Sequence, residues 1–290
     1  MPPRADSGLD PEEDPGIYLD DWRAVESSLL YIDDLINMTE IEEKEKTAVL
    51  RGVLSPDPRE RFACCRIAEK LIEKKQLEKQ LLVSIAVEYL LDEVEHYGID
   101  FVLMLINEIK VESEEISEIY IPLMRKRIND EIRLQIERGV VDRLECETPD
   151  LVFISLLKEC RVFGVKNQLF TVDIIEKLLE KVEKITQESI VYLGKIFTIL
   201  LLHECQIIVE RILFFFGNAR VYERIKGHSK VLVEELFDIS YTLSQSYWKK
   251  TDRSLVCEIL LVLFNLNKKV FDESLRLHNY KKTVEKENDR

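Results

Sequence analysis

The chain has 290 residues, 46% of them hydrophobic and 33% charged, enough to bury a sizeable core in one large domain or two small ones. With only 9 Gly and 8 Pro, and no Pro after Pro149, it lacks the turn residues that sheet-rich folds require at short intervals. Its net charge of −14 repels phosphate backbones and anionic lipid, which argues against nucleic acid and membrane surfaces as partners.

Residues 1–19 form an acidic, Pro-rich segment (Asp10-Pro11-Glu12-Glu13-Asp14-Pro15) with no apolar run of the signal-peptide type, and this composition predicts partial disorder. From 20 to 283 the apolar spacing is helical nearly everywhere and predicts one helical-repeat domain, with 284–290 a frayed tail. Breaks are read at Ser55-Pro56-Asp57-Pro58, Tyr97-Gly98, Glu112-Ser113, Gly139, Thr148-Pro149-Asp150, Phe163-Gly164, Gly217-Asn218 and Gly227-His228-Ser229. Asp57 before Pro58 places a capping carboxylate ahead of a proline at the first helical position, and Thr148-Pro149-Asp150 reads as a second start in the same style. Ile174, Ile175, Leu178, Leu179, Val182 and Ile185 line one helix face. Val256, Ile259, Leu260, Leu263, Phe264, Asn267, Val270 and Phe271 line another, with Asn267 its one polar member. The longest apolar stretches, Ile196–Leu202 and Ile259–Phe264, fall far short of the ~20 residues a membrane span requires, so no membrane insertion is expected. Taken in pairs, the helices recur at roughly 40 residues, the period of HEAT and armadillo repeats. The predicted fold is all-α, a HEAT/armadillo-like α-α superhelix of stacked helical hairpins; an irregular helical bundle is the alternative.

Candidate chemistry is sparse. No phosphate-binding loop, dinucleotide fingerprint or nucleophile elbow occurs, so no cofactor is expected, and four scattered His lack the spacing of metal ligands. Six Cys without a C-x-x-C pair read as reduced thiols of an intracellular protein. Asp33-Asp34-Leu35-Ile36-Asn37 resembles the D-D-x-x-D element of helical prenyl-transferring and terpene-cyclising enzymes. Asn129, Asp130, Arg133 and Glu137 fall at the spacing of their second magnesium element. Arg133 stands where a hydroxyl ligand belongs and Asn37 replaces the last carboxylate, so a solvated charged face is the preferred reading. The acidic clusters at 10–14 and Glu112–Glu115 serve either solvation and helix starts or the docking of a basic partner surface.

Several segments, in order, resemble the B-prime (B56-type) regulatory subunits of protein phosphatase 2A. Ser55-Pro56-Asp57-Pro58-Arg59-Glu60-Arg61 is similar to the family's D-P-R-E-R-D turn, with Arg66-Ile67 following at the expected distance. Glu93-Val94-Glu95-His96-Tyr97-Gly98-Ile99 is similar to E-T-E-H-H-N-G-I, one residue shorter, and Glu210-Arg211 with Asn218 to A-E-R-A-L-x-x-W-N-N. Tyr247-Trp248-Lys249-Lys250 and Asn265 to Asp272 match H-W-N-K and M-N-Q-K-L-F-D-D at the right spacing.

The resemblance covers about Glu13 to Asn279. It implies a non-enzymatic solenoid that binds the phosphatase scaffold and catalytic subunits and selects phosphoprotein substrates, with an unrelated armadillo-like adaptor as the alternative. It also implies that Glu13, Asp14 and Pro15, with Trp22 as their anchor, and the turn Asp57, Arg59 and Glu60 face those two subunits. The family's groove for Leu-x-x-Ile-x-Glu peptides would fall on Arg66, Lys75, Leu105 and Ile109. Cys65 and Ala68 replace a His and a Tyr there, and Glu112–Glu115 bring acids where the family carries cations, so the groove reads as degenerate.

Overall fold

The computed structural model of the chain describes residues 22–55, 57–91, 98–109, 112–126, 128–143, 148–246 and 250–288. Among them every regular element is helical. In order these are α1 (Trp22–Met38), α2 (Glu43–Val53), α3 (Pro58–Glu73), α4 (Lys79–Leu91) and α5 (Ile99–Ile109). The short α6 (Ser113–Glu115) and α7 (Ile121–Leu123) flank a π-helical turn, Ile116–Tyr120, and α8 (Asp130–Glu137) runs into a second, Arg138–Arg143. Then come α9 (Asp150–Glu159), α10 (Val165–Lys181), α11 (Gln187–Leu201), α12 (Gln206–Gly217), α13 (Ala219–Lys226), α14 (Ser229–Ser246), α15 (Lys250–Leu266) and α16 (Lys268–Asn288). None of these helices is long and apolar enough to cross a membrane.

The helices form two compact units, one of Met1–Leu123 with Ile128–Leu144, the other of Met124–Arg127 with Glu145–Arg290. In the first, α1, α3, α5 and α8 pack in succession as one layer, while α2 packs on α4 and α4 on the first π turn as the other. In the second, α9, α11, α14 and α16 make one row and α10, α12 and α15 the next. This is the HEAT/armadillo-like, two-layer stacking of helical repeats, each burying its apolar stripe on the next. The face read on α10 is buried from Ile174 through Val182, and Phe197, Phe215 and Phe216 meet edge to face with centroids 4.9–6.0 Å apart. Each such side chain contributes roughly 1.5–3 kcal/mol by leaving water.

Polar ties across neighbouring repeats reproduce the sequence period. Lys70 Nζ holds Asp33 at 2.5 Å, Lys74 Nζ donates to the Ile36 carbonyl at 2.9 Å, and Arg51 reaches Glu88, joining residues 37 or 38 apart. In the second unit Arg211 donates to Asp173, Asn218 to Glu180 and Asn267 to Ser229, each pair 38 apart, and His278 meets Asp238 across 40. Around α5 and α8 the ties shrink: Asn107 donates to the Gln135 carbonyl over 28 residues and Arg138 to Glu108 over 30. A shortened repeat sits where the two π turns occur.

Three local readings are corrected. The stripe from Val256 to Phe271 is two helices: Asn267 ends the first and caps the second, its Oδ1 accepting from the Val270 N–H at 3.2 Å. Asparagine can occupy an apolar-spaced position because its side chain turns back onto the backbone. Gly139 is no break. It lies buried inside the second π turn, where an added Cβ would stand 2.7 Å from both Asn107 Oδ1 and Tyr120 Cζ. At α9 the cap residue is Pro149, without a side-chain bond, and Asp150 instead accepts from the Thr186 hydroxyl at 3.1 Å and from Ser189.

Candidate protein-interaction surfaces

The Asp57 turn is a built corner. Asp57 is 0% exposed; it caps α3, its Oδ1 accepting from the Arg59 N–H at 2.9 Å and from Arg59 Nε at 3.1 Å, while Oδ2 accepts from Arg59 Nη2 at 2.7 Å. Its own N–H donates to Ser55 Oγ at 3.2 Å. Pro58 follows at the first helical position, where a missing N–H costs nothing. The guanidinium so held lies 4.8 Å from the ring centre of half-buried Trp22, a cation–π contact between α1 and α3. Arg61 Nη1 donates to the Ser55 carbonyl at 2.9 Å and closes the turn from the other side.

A second resembling segment ends at the same place. Gly98 has φ +71°, and an added Cβ would collide with the Val53 carbonyl oxygen and reach 3.1 Å from Arg61 Cδ. Only glycine combines that left-handed backbone with so close an approach. Trp22, Asp57 and Arg59 therefore meet in one constellation, with half-buried Glu60 on the next residue. Buried Asp57 aims Arg59, and it is Arg59 that reaches solvent, its side chain 38% exposed. Glu13, Asp14 and Pro15 lie outside the described residues, as do Tyr247, Trp248 and Lys249.

The four groove positions do not share one surface character. Arg66 is exposed on α3. Lys75, also exposed, has φ 55° and ends that helix, its N–H donating to the Ile72 carbonyl at 2.8 Å while the Gln76 N–H returns to Leu71. Leu105 is 1% exposed and belongs to the core, whereas Ile109 is 38% exposed at the end of α5. Ala68 is buried, and burial, reinforced by Asp100, pushes the Cys65 thiol up to about 12. Of the four, Arg66, Lys75 and Ile109 present surface.

Three residues of the magnesium-like elements are spent on the fold. Asp33 is held by Lys70, Asn37 by Lys74, and Asn129 caps α8 by accepting from the Ile132 N–H at 2.9 Å. Among the described residues no group of three or more His, Cys, Asp or Glu side chains is placed to hold a metal ion. Sequence reasoning passed over the outer stripe of α4, where Val83 and Val87 stay half-exposed behind the buried Leu82, Ile85, Ala86 and Tyr89. The available signal was a helix apolar nearly all round, Leu81 to Leu91.

Comparison with known proteins settles the family. Residues 35–290 match the Protein phosphatase 2A regulatory B subunit (B56 family). The chain belongs to the B56 family. A Serine/threonine-protein phosphatase 2A 56 kDa regulatory subunit delta 1 isoform from Schizosaccharomyces pombe is 21% identical over 236 residues, 76% of this chain and 43% of that relative. The B' delta isoform of the 55 kDa regulatory subunit of Serine/threonine protein phosphatase 2A from Arabidopsis thaliana is 22% identical over 251 residues, 81% of this chain and 52% of the relative. The Caenorhabditis elegans regulatory subunit pptr-1 is 26% identical over 83 residues, 29% of this chain. The chain thus spans about half the length of the two longer matches. The Asp57 turn and Gly98, some forty residues apart in sequence, meet at one corner.

Proposed function

We propose that this B56-family chain is a non-catalytic regulatory subunit of protein phosphatase 2A. It binds the scaffold and catalytic subunits, and it directs the choice of phosphoprotein substrates in the cytoplasm and nucleus. The observation that carries this reading is the family match over residues 35–290. The corner adds support: a buried carboxylate that presents an arginine against an aromatic ring is a rigid surface feature of the kind an interface needs. A chain of net charge −14 favours basic partner surfaces, and association through them weakens as salt rises. Mixing the full chain with a purified scaffold–catalytic core and resolving the species by size-exclusion chromatography tests the assignment. A stoichiometric complex that loosens with added salt is expected; independent elution of chain and core at low salt overturns it.

A further inference from the structure

A groove of about 500 Å³ runs along the outer stripe of α4, lined by Lys79, Gln80, Val83, Ser84, Val87 and Glu88, with Glu112 and Glu115 at the start of α6 as its other wall. Its floor is apolar and its rim is acidic. Among the described lining residues Lys79 is the one cation, and it is ion-paired: its Nζ lies 3.0 Å from Glu115 and 3.4 Å from Glu112. Glu115 is fixed in turn, its carboxylate accepting the Glu112 N–H at 2.6 Å. Glu112, 56% exposed beyond its 3.4 Å contact with Lys79, and Glu88, 58% exposed with both oxygens 3.4 Å from the largely solvated Arg51 Nη2, keep carboxylate surface facing solvent. Exposed Glu78 and Glu114 border the two segments in sequence.

We infer that this groove docks a short basic-apolar peptide segment of a partner protein, its aliphatic side chains on Val83 and Val87 and its Lys or Arg side chains on Glu88 and Glu112. The dimensions suit an extended chain. Val83 and Val87 are one helical turn apart, about 6 Å along α4, close to the ~6.6 Å between same-side residues of an extended strand. From Gln80 to Glu88 the groove runs about 12 Å, room for about four residues. Charge complementarity selects the occupant, because an acidic peptide would meet the carboxylates of Glu88 and Glu112, while the one cation among the described lining residues, Lys79, is already ion-paired. The inference is independent of holoenzyme assembly, since it concerns the isolated chain.

The test is fluorescence anisotropy of the full chain with fluorescein-labelled Arg-Ser-Leu-Ala-Val-Ser-Arg-Arg and with the same peptide carrying Glu for every Arg. The Arg peptide is expected to bind at least about tenfold more tightly than the Glu peptide at low salt, with the difference shrinking as salt rises. Ser84→Arg, an exposed substitution in the groove that leaves the core untouched, should abolish binding, and Glu112→Lys should weaken it about tenfold while unfolding transitions stay in place. Equal binding of the two peptides, no binding of the Arg peptide, or full binding by Ser84→Arg each overturns the inference.

Discussion

Replacing Asp57 with alanine separates the two jobs of the corner, capping α3 and aiming Arg59. Loss of the cap costs about 1 kcal/mol. The two bonds from the guanidinium are charge-assisted and would be worth ~1.5–3 kcal/mol if fully buried. Because the Arg59 side chain is 38% exposed and regains water when released, the lower end applies. The sum is about 2–3 kcal/mol for Asp57→Ala. Asp57→Asn keeps an oxygen for the Arg59 N–H but gives up the charge and the second oxygen that accepts from Arg59 Nη2, so about 1–1.5 kcal/mol is expected. Trp22 and Trp248 are the two tryptophans, so urea unfolding in a Trp248→Phe background follows Trp22, 4.8 Å from the affected guanidinium. The midpoint should fall by about 1 M for alanine and about half that for asparagine. An alanine cost below ~0.5 kcal/mol, or an asparagine cost equal to alanine's, refutes the idea that the carboxylate organises the turn.

Two further outcomes follow from burial. Gly139→Ala drives a methyl against Tyr120, which is wholly buried and pinned by a 2.6 Å bond from its hydroxyl to Asn107; neither neighbour can yield, and a loss of about 3 kcal/mol is expected in urea melts. Burial pushes the Cys64 and Cys65 thiols from 9.0 up to about 12, and Cys160 up to about 11. The unfolded chain therefore gives up these protons first, so stability is unaffected below about pH 9 and falls as pH rises from there toward 12. Melts at about pH 8 and about pH 10.5 should show that decline, diminished in a Cys64→Ala, Cys65→Ala chain, and iodoacetamide near pH 8 should label exposed Cys257 well before Cys64. Equal labelling rates would contradict the burial argument.

How far the sequence reached depended on whether each signal was local. Asp57 and Pro58 announce their cap within two residues, and the roughly 40-residue recurrence of helix pairs returns as the 37- to 40-residue ties. Gly139 looked like punctuation because a glycine needed for close packing and one needed for a turn are the same letter; only Tyr120, on another segment, distinguishes them. Asn267 hid a boundary because an apolar period can continue by chance across two helices joined by a single residue. Leu105 and Ile109 fall together in the groove by resemblance, yet they lie one helical turn apart on α5, one buried and one exposed. The α4 groove needed knowledge of which flank the neighbouring repeat leaves uncovered, and no periodicity in α4 itself supplies that.

The ties between neighbouring repeats make this architecture more sensitive to register than to identity. Lys74 finds the Ile36 carbonyl because each sits at a set angle on its own helix. One residue inserted within α1 or α3 would swing everything beyond it by about 100° and unhook the tether. The same residue added between exposed Thr39 and Glu40 would fall in a connection, outside the register of either helix. Divergent copies of such a scaffold can therefore change most of their letters, and lengthen their connections freely, while single-residue slips inside a helix are the changes they cannot absorb.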